Sequence, residues 1–295
     1  MKTPKVSIGL PVYNGEKLIA AAIESILAQT YSDFELIITD NASTDNTEAI
    51  GREYMKRDSR VRYVRNEKNM GAMYNFDHAF ELARGEYFKW AAYDDTLTPD
   101  YLEKCVRVLE QDPSIILCQA KTLYVDSKGN TKRSNEKERK LHSTHAGERF
   151  WAVVIETHAI DEYYGVMRRD VLKQTSLNLR FPGSDKVLLA ELAVLGPFVQ
   201  IPEYLFLRGV HAEQYFQVAK SRKMRETWMD TKAKLTFPEL QVFAGYCKAA
   251  WSVPLSLRNR ARCHLALLYY VVGWDPWKRR LRRLWQQPET SFGNV

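Results

Sequence analysis

Acidic residues follow two strand-like runs in the first hundred residues of this chain. Residues 34–39 form an apolar run that ends at Asp40, and residues 87–93 form an aromatic run that ends at Asp94 and Asp95. Ligands of an open α/β sheet bind outside the carboxyl ends of its strands, so carboxylates placed there face a crevice rather than bulk surface. The two acidic ends therefore predict a binding crevice.

Strand-like and helix-like patterns alternate over about the first 125 residues. Pro11 is predicted to end the first strand, and Thr98-Pro99 to open the helix after the fourth, with proline at its first position. Such alternation predicts an α/β fold, with a mostly parallel sheet and helices on both faces. The strands are expected at 6–10, 34–39, 61–65, 87–93 and 115–125.

The rest of the chain differs in character. Residues 132–145 are polar and charged, which predicts a mobile loop, and helical spacing returns at 147–155 and from about Ser184. Helical patterns dominate beyond Phe216. We expect three regions, namely 1–125 and 126–215 as two halves of one α/β domain, and 216–295 as a helical C-terminal portion.

Composition limits the class of protein. The 295 residues are 45% hydrophobic, which is enough for a large core, and the four cysteines show no C-x-x-C spacing. A zinc or disulfide framework is therefore not expected, and a reducing cytoplasm is the predicted location. We find no signal-peptide pattern, and the apolar run 265–273 is shorter than the roughly 20 residues that span a bilayer.

Positive charge is concentrated at the C-terminus. The net charge is +7, and from Ser256 onward eight basic residues stand against two acidic ones. Residues 274–285 mix tryptophans with lysine and arginines, a composition typical of a helix on an anionic membrane, which would make the protein peripheral to the inner face of the cell membrane. The alternative is a basic helix packed on the domain or solvated. No recognition motif supports nucleic-acid binding.

The chain lacks a dinucleotide-binding turn. A G-x-G-x-x-G motif should follow the first strand, but residues 10–15 read LPVYNG. The N-terminal pattern instead resembles the family-2 glycosyltransferases of the GT-A fold. The residues that carry this resemblance are VSIGLPVYN at 6–14, QTY at 29–31, DNASTDNT at 40–47, NMG at 69–71, ARGEY at 83–87, DD at 94–95, YGVMRRD at 164–170 and GSDK at 183–186.

The resemblance implies an inverting transfer of one sugar from a nucleotide-sugar donor to a hydroxyl of a glycan or a lipid-linked acceptor. In the family, the position of Asp40 accepts a hydrogen bond from the uracil imide, which implies a UDP-linked donor. Tyr13 is placed to stack on the base. The nucleotide-binding residues that the resemblance implies are Pro11, Tyr13, Asn14, Asp40, Asn41, Asn69, Gly71, Asn75 and Asp94.

The family holds a divalent cation with an Asp-x-Asp motif. Here Ala92-Tyr93-Asp94 stands in its place, so the first acid is missing. Asp94 is the predicted ligand of Mn²⁺ or Mg²⁺ and Asp95 its helper, because these ions prefer oxygen ligands and bridge phosphates. His211 is a further candidate for the metal, and Arg208 for the diphosphate. The alternative for Asp94 and Asp95 is a simple turn.

An inverting transfer also needs a general base for the acceptor hydroxyl. Asp185 is the predicted base, since it follows Gly183-Ser184 at an apparent helix start, and Glu191 is the reserve. The alternative is that Ser184 or Asp185 merely caps the helix. The acceptor is expected between the 127–149 loop and the segment around Asp185.

Two other functions stay open. A nucleotidyltransferase would also need carboxylates for metal, although no glycine-rich, basic triphosphate loop is found near Pro11. A catalytically inactive protein that only binds nucleotide or glycan is the non-enzyme alternative, and the missing acid at Ala92 favours it.

Overall fold

The structure is a computed structural model of the chain, and it describes residues 3–134, 139–156, 160–211, Met229 and 237–272. Its first part alternates strands and helices as the sequence predicts. The elements are β1 (Val6–Val12), α1 (Ile19–Leu27), β2 (Phe34–Asp40), α2 (Thr47–Arg57), β3 (Val61–Arg65), α3 (Ala72–Glu81), β4 (Tyr87–Trp90), β5 (Thr96–Leu97) and α4 (Tyr101–Gln111).

The second part adds strands and helices to the same layers. Short 3₁₀ helices at Lys140–His142 and Asp161–Tyr164 lie between them. The elements are β6 (Leu117–Asp126), β7 (Thr131–Arg133), α5 (Ala146–Val154), β8 (Val166–Arg168), α6 (Arg169–Leu172), α7 (Ser184–Leu195), β9 (Phe198–Val210), α8 (Pro238–Trp251) and α9 (Leu257–Val272).

The described strands form one mixed sheet in the order β3-β2-β1-β4-β8-β6-β9-β5, and β7 pairs with β6. The β1–β2, β2–β3, β1–β4 and β6–β9 pairs are parallel, whereas β8 is antiparallel to both of its neighbours. The mostly parallel α/β sheet is therefore confirmed. The sequence did not predict β8, which lies between the fourth strand and β6 and so joins the two halves of the sheet.

Two predicted boundaries are wrong. Strand β1 continues through Pro11, which pairs with Thr39 of β2. Proline is tolerated there because the β4 side of β1 is paired only as far as Gly9, so the missing N–H is not needed. Helix α4 begins at Tyr101 rather than at Pro99, since the carbonyl of Pro99 accepts a hydrogen bond from the Thr30 N–H and the turn continues to Asp100.

The predicted mobile loop at 132–145 includes some regular structure. Strand β7 pairs with β6, and the 3₁₀ helix at Lys140–His142 buries Leu141. Residues 135–138 of that prediction lie outside the described part. Helix α5 and the helix start at Ser184 are confirmed.

Helices cover both faces of the sheet. One core contains α1 and α4, with Ile23 and Leu102 fully buried, and the other contains α3, α5 and α7. Helix α8 lies on α7, where a Cβ at Gly245 would stand 2.6 Å from Val187. Helix α9 packs on α5 and on α8. This arrangement places the described part of the helical C-terminal portion behind α7.

Across the described ranges, no helix is both long and apolar enough to cross a bilayer. The predicted membrane-binding residues 274–285 lie outside these ranges.

A buried carboxylate ties the first part of the sheet together. Glu35 on β2 accepts hydrogen bonds from Ser7 Oγ at 2.7 Å and from the Arg84 side chain at 2.7 Å, and it pairs with Arg62 on β3 at 2.9 Å. Burial alone would raise the pKa of Glu35, but the hydrogen bonds from Arg84, Ser7 and Arg62 outweigh it and lower the pKa. Ionised Glu35 therefore stabilises the fold.

We predict that Glu35→Gln lowers the free energy of unfolding at pH 7 by about 2 kcal/mol, because several charge-assisted hydrogen bonds become neutral. A carboxyl with a lowered pKa stabilises above its unfolded pKa of about 4.3, and that stability is lost as the pH falls through its folded pKa. Urea unfolding of wild type and variant should therefore converge in acid. The exposed Glu53→Gln is the control and should change little.

Candidate active site

A cavity of about 280 Å³ opens at the carboxyl ends of β1, β2 and β4. Most of its polar lining comes from loops after these strands, from the start of α7 and from the end of β9. The side chains around it are Pro11, Val12, Tyr13, Asn41, Asn69, Ala72, Met73, Asn75, Phe76, Ala92, Tyr93, Asp94, Asp95, Ile160, Tyr163, Tyr164, Asn178, Ser184, Asp185, Arg208 and Met229.

Most of the predicted site residues meet at this cavity. Those that line it are Pro11, Tyr13, Asn41, Asn69, Asn75, Asp94, Asp95, Asp185 and Arg208. Among the described residues, the predicted positions that do not line it are Asn14, Asp40, Gly71, Glu191 and His211.

Asp94 lies beside His211, which comes from the far end of β9. The Nε2 atom of His211 is 3.0 Å from Oδ2 of Asp94, so these two atoms share either a proton or a cation. The approach depends on Gly209, since a Cβ built there would overlap the carbonyl oxygen of Asp94. The structure thus unites two predicted metal ligands that are 117 positions apart in the chain.

Asp95 has a different environment from Asp94. Its side chain is buried, and its Oδ1 accepts a hydrogen bond of 3.0 Å from the Gly209 N–H. Burial raises the pKa of Asp95, and the neighbouring Asp94 carboxylate raises it further. Asp95 therefore holds the end of β9 against the β4 loop, and its role as a metal helper stays a prediction.

Arg208 supplies a positive group to the cavity. Its Nη1 donates to Oδ1 of Asp161 at 2.5 Å, and Oδ2 of Asp161 accepts from the Thr122 hydroxyl at 2.5 Å. Asp161 is 4% exposed, so this pairing fixes the guanidinium firmly. Sequence reasoning missed Asp161, although it stands only three residues before the motif that begins at Tyr164.

Asp185 lies in the first turn of α7. Its Oδ1 accepts from the Lys186 N–H, and no side-chain capping hydrogen bond forms at this helix start. The alternative of a side-chain N-cap is therefore not what the structure contains, because Gly183 occupies the cap position with φ +92°. Burial raises the pKa of Asp185. A carboxyl of that kind holds a proton more readily than an exposed aspartate, as a general base requires.

Glu191 has structural partners away from the cavity. Its oxygens accept hydrogen bonds from the Ser176 N–H and hydroxyl, both at 2.7 Å. Lys248 of α8 lies 4.0 Å from the same carboxylate. This geometry corrects the reserve prediction, because a base must reach the acceptor hydroxyl and Glu191 does not border the space where it would bind.

Asp40 is fully buried and has three partners. Its carboxylate accepts from the Tyr63 hydroxyl at 2.5 Å, from Arg65 Nη1 at 3.0 Å and from the Ser43 N–H at 2.8 Å. Its neighbour Asn41 is the member of the pair that borders the cavity. Contact between Asp40 and a base would require exchange of one of these bonds, so that role stays a prediction that the geometry does not favour.

Asparagine side chains form a network beneath the cavity. Asn41 Nδ2 donates to Asn69 Oδ1 at 3.0 Å and to the Gly71 carbonyl at 3.2 Å. Asn75 Nδ2 donates to the Thr39 carbonyl at 2.7 Å, and Asn66 joins Asn41 to Asn75. Neutral amides thus bind the ends of β2 and β3 to the start of α3.

Asn14 and Gly71 shape the loops instead of lining the space. Asn14 has φ +53°, and its Oδ1 accepts from the Thr44 N–H at 2.8 Å, which joins the loops after β1 and β2. Gly71 has φ +90°, a region that favours glycine. Tyr13, which is 40% exposed, keeps a ring face available at the rim.

The protein side chains present fit a divalent cation only if a bound ligand supplies the remaining metal contacts. Within the described ranges, no group of three or more His, Cys, Asp or Glu side chains could hold a metal ion. Asp94 and His211 form a pair, and metals at phosphate sites commonly take one or two protein ligands and complete their shell with phosphate and water. Carboxylate suits Mg²⁺ and Mn²⁺, whereas imidazole suits transition metals better than Mg²⁺.

The sequence model of glycosyl transferase family 2 matches residues 7–175, more than half of the chain. The chain belongs to glycosyl transferase family 2. The match covers β1 to β8 and the loops that carry Asp94 and Asp161, and α7 with Asp185 lies beyond it.

Curated relatives match less than half of the chain. An uncharacterized glycosyltransferase of Methanocaldococcus jannaschii is 36% identical over 132 residues, which cover 44% of this chain and 46% of that protein. Chondroitin synthase of Escherichia coli is 36% identical over 129 residues, or 44% of this chain and 19% of the relative. The match to this chain thus spans less than half of their length.

Solved structures extend the likeness to most of the chain. S. aureus TarS 1–349 in complex with UDP-GlcNAc has a TM-score of 0.66 at 17% identity, covering 91% of this chain and 73% of that one. The mannosyltransferase PcManGT from Pyrobaculum calidifontis, in complex with GDP-Man and Mn²⁺, has a TM-score of 0.55 at 18% identity, covering 96% and 80%. At these identities the likeness shows the GT-A fold alone.

We predict that Gly209→Ala disrupts the pair formed by Asp94 and His211. The added Cβ overlaps the Asp94 carbonyl oxygen, so β9 and the Asp94 loop must separate, at a cost of about 1–3 kcal/mol in the free energy of unfolding. Manganese-dependent nucleotide binding, measured by calorimetry, should weaken at least tenfold. Val210→Ala, at the adjacent exposed position, is the control, and equal binding by both variants would contradict the assignment.

Proposed function

We propose that this chain is an inverting, metal-assisted glycosyltransferase. It moves a single sugar from a nucleotide-sugar donor, with UDP as the preferred nucleotide, to a hydroxyl of a glycan or lipid-linked acceptor. The observation that carries the proposal is one cavity that contains the Asp94 loop, the Arg208 guanidinium and the Asp185 carboxyl.

The charges around the cavity support binding of a diphosphate. Arg208 is held by Asp161 and supplies positive charge, and His211 beside Asp94 completes a place for a cation. A divalent cation, when bound there, would neutralise charge that develops on the departing diphosphate. Asn69 borders the cavity with its amide group, Asn41 holds that amide in place, and Tyr13 offers a ring for stacking.

Asp185 is the general base of this proposal. The acceptor oxygen attacks the anomeric carbon while its proton passes to the Asp185 carboxylate, and the bond between that carbon and the diphosphate oxygen breaks with its electron pair. Asp185 suits this role because it lines the cavity, and its Oδ1 accepts a hydrogen bond from a backbone group, the Lys186 N–H. The acceptor would then approach between the 127–149 region and α7.

The nucleotide is proposed as UDP, and TarS bound to UDP-GlcNAc supports it. The other neighbour, PcManGT, carries GDP-Man, so donor preference needs a direct comparison. The location proposed is the cytoplasm, with peripheral contact to the cell membrane through residues 274–285.

We predict that UDP with Mn²⁺ raises the unfolding temperature of the wild type more than GDP, dTDP or CMP does. Ligand at about a hundred times its Kd adds roughly 2.7 kcal/mol to the free energy of unfolding. Asp94→Asn should lose the manganese-dependent part of the shift, because an amide is a poorer ligand for the cation than a carboxylate. Asp170→Asn, at an exposed carboxylate paired with Lys173, is the control. Absence of any nucleotide shift in the wild type would contradict the proposal.

We predict that Asp185→Asn lowers turnover by about 10²–10⁴-fold, the usual contribution of a general base, and leaves UDP binding unchanged. A raised pKa makes the ionised Asp185 unfavourable in the folded state at neutral pH, so the variant should be as stable as the wild type or more stable. Wild-type turnover should rise with pH through that pKa. Turnover is measured as released UDP, and release of pyrophosphate would instead indicate nucleotidyl transfer.

A matched variant separates chemistry from position. Lys186→Gln changes the next, exposed residue of α7 and should keep turnover, while its pH profile moves toward higher pH because the Lys186 charge lowers the pKa of Asp185. If Asp185→Asn were as active as Lys186→Gln, the base would have to be another group.

A further inference from the structure

Helix α9 has apolar side chains on two faces. Its inner face buries Cys263, Ala266 and Leu267 against the domain. Its outer face exposes a second apolar set, with Leu257 at 90% exposure and Leu268 at 61%. A surface helix normally has a polar outer face, so the second set needs an explanation.

The exposed apolar residues form one stripe. At about 100° per residue, positions 257, 265, 268 and 272 fall within one quadrant of the helix, and Tyr269 borders them. Trp251, at the end of α8, is 63% exposed and its ring lies against His264 and under the Arg260 guanidinium. We call these residues the α9 face: Trp251, Leu257, Leu265, Leu268, Tyr269 and Val272.

The charge of this region has one sign. Residues 257–272 include three arginines and no aspartate or glutamate. Arg260 and Arg262 have partners in the chain, since Arg260 donates to the Ala250 carbonyl and Arg262 pairs with Glu148 at 3.3 Å. Arg258 is exposed at the same end as Leu257.

The sequence after α9 continues this composition. Between positions 273 and 285 there are three tryptophans, five basic residues and one acidic residue. The structure does not describe these residues, which follow Val272 of the α9 face directly in the sequence. Apolar area and positive charge are therefore adjacent along the chain.

We infer that the α9 face docks the protein onto an anionic lipid bilayer. The helix would lie in the plane of the headgroups, with Leu257, Leu265 and Leu268 in the acyl boundary. Tryptophan and tyrosine at the margins suit the interface, where a ring is apolar on one side and wet on the other. Basic residues near an anionic leaflet strengthen membrane binding by electrostatic attraction.

A second copy of the chain fits this face less well. Two copies related by a twofold axis would bring the same arginines and the same basic C-terminal segments together, and like charges oppose that contact. An anionic bilayer supplies both an apolar layer and the opposite charge. The surface lies outside the cavity, so the inference does not depend on the sugar-transfer reaction.

The test is flotation of the full chain with two kinds of vesicle. One kind is phosphatidylcholine alone, and the other also contains about 30 mol% of anionic phosphatidylglycerol. The wild type should float with the anionic vesicles and far less with the neutral ones. Leu265→Glu/Leu268→Glu should reduce the bound fraction at least tenfold. Met55→Glu, at a partly exposed apolar position on α2, is the matched control and should bind as the wild type does.

Other results would overturn the inference. The inference is wrong if the wild type does not float, or if the double variant floats as well as the wild type. It is also wrong if the wild type is a dimer, the double variant is a monomer, and neither binds vesicles. Circular dichroism and nucleotide binding are measured on the same samples to establish that the variants are folded. If the wild type binds no nucleotide, the result counts against the proposed sugar transfer. The vesicle result is then judged separately.

Discussion

The candidate site depends on the contact between the end of β9 and the loop after β4. The Gly209 N–H donates to the buried Asp95 carboxylate, and the absence of a side chain at Gly209 lets β9 approach the Asp94 backbone. This contact brings Arg208 to the cavity and His211 to the Asp94 carboxylate. Parallel pairing of β9 with β6 over ten residue pairs brings the strand end there in the correct register. The charge arrangement of the site thus follows from the sheet.

Most of the charged groups in and around the site have fixed hydrogen-bond or ion-pair partners. Arg208 is bound by Asp161, Asp40 by Tyr63 and Arg65, and Glu191 by Ser176. Buried charges without partners cost several kcal/mol, so the loss of one partner would be destabilising, and each pair also fixes an orientation. Asp185 differs, because burial raises its pKa and few bonds compensate for it. A group left in that condition beside a cavity is typical of catalytic residues.

Local patterns were sufficient to predict the first four strands and the start of α7, and an acidic strand end identified Asp94. Nine predicted residues line the cavity, and most of these were implied by the family resemblance, whereas Asp185 was chosen at an apparent helix start. Strand β8 was missed because it has only three residues and pairs with strands distant in sequence. Asp161 and Gly209 were missed for the same reason, since their roles exist only once β6 and β9 lie side by side. The burial of Lys89 within β4 had no local signal either, since its ammonium group donates to the Trp90 and Tyr164 carbonyls only in the folded chain.

The most direct test is a crystal structure of the protein with UDP-N-acetylglucosamine and Mn²⁺, with the metal located by anomalous scattering. The account predicts a manganese peak bound to the Asp94 carboxylate and to the diphosphate, with Arg208 at the phosphates and the Asp185 carboxylate facing the anomeric carbon. A nucleotide bound outside this cavity, or a metal held by residues other than Asp94, would contradict it.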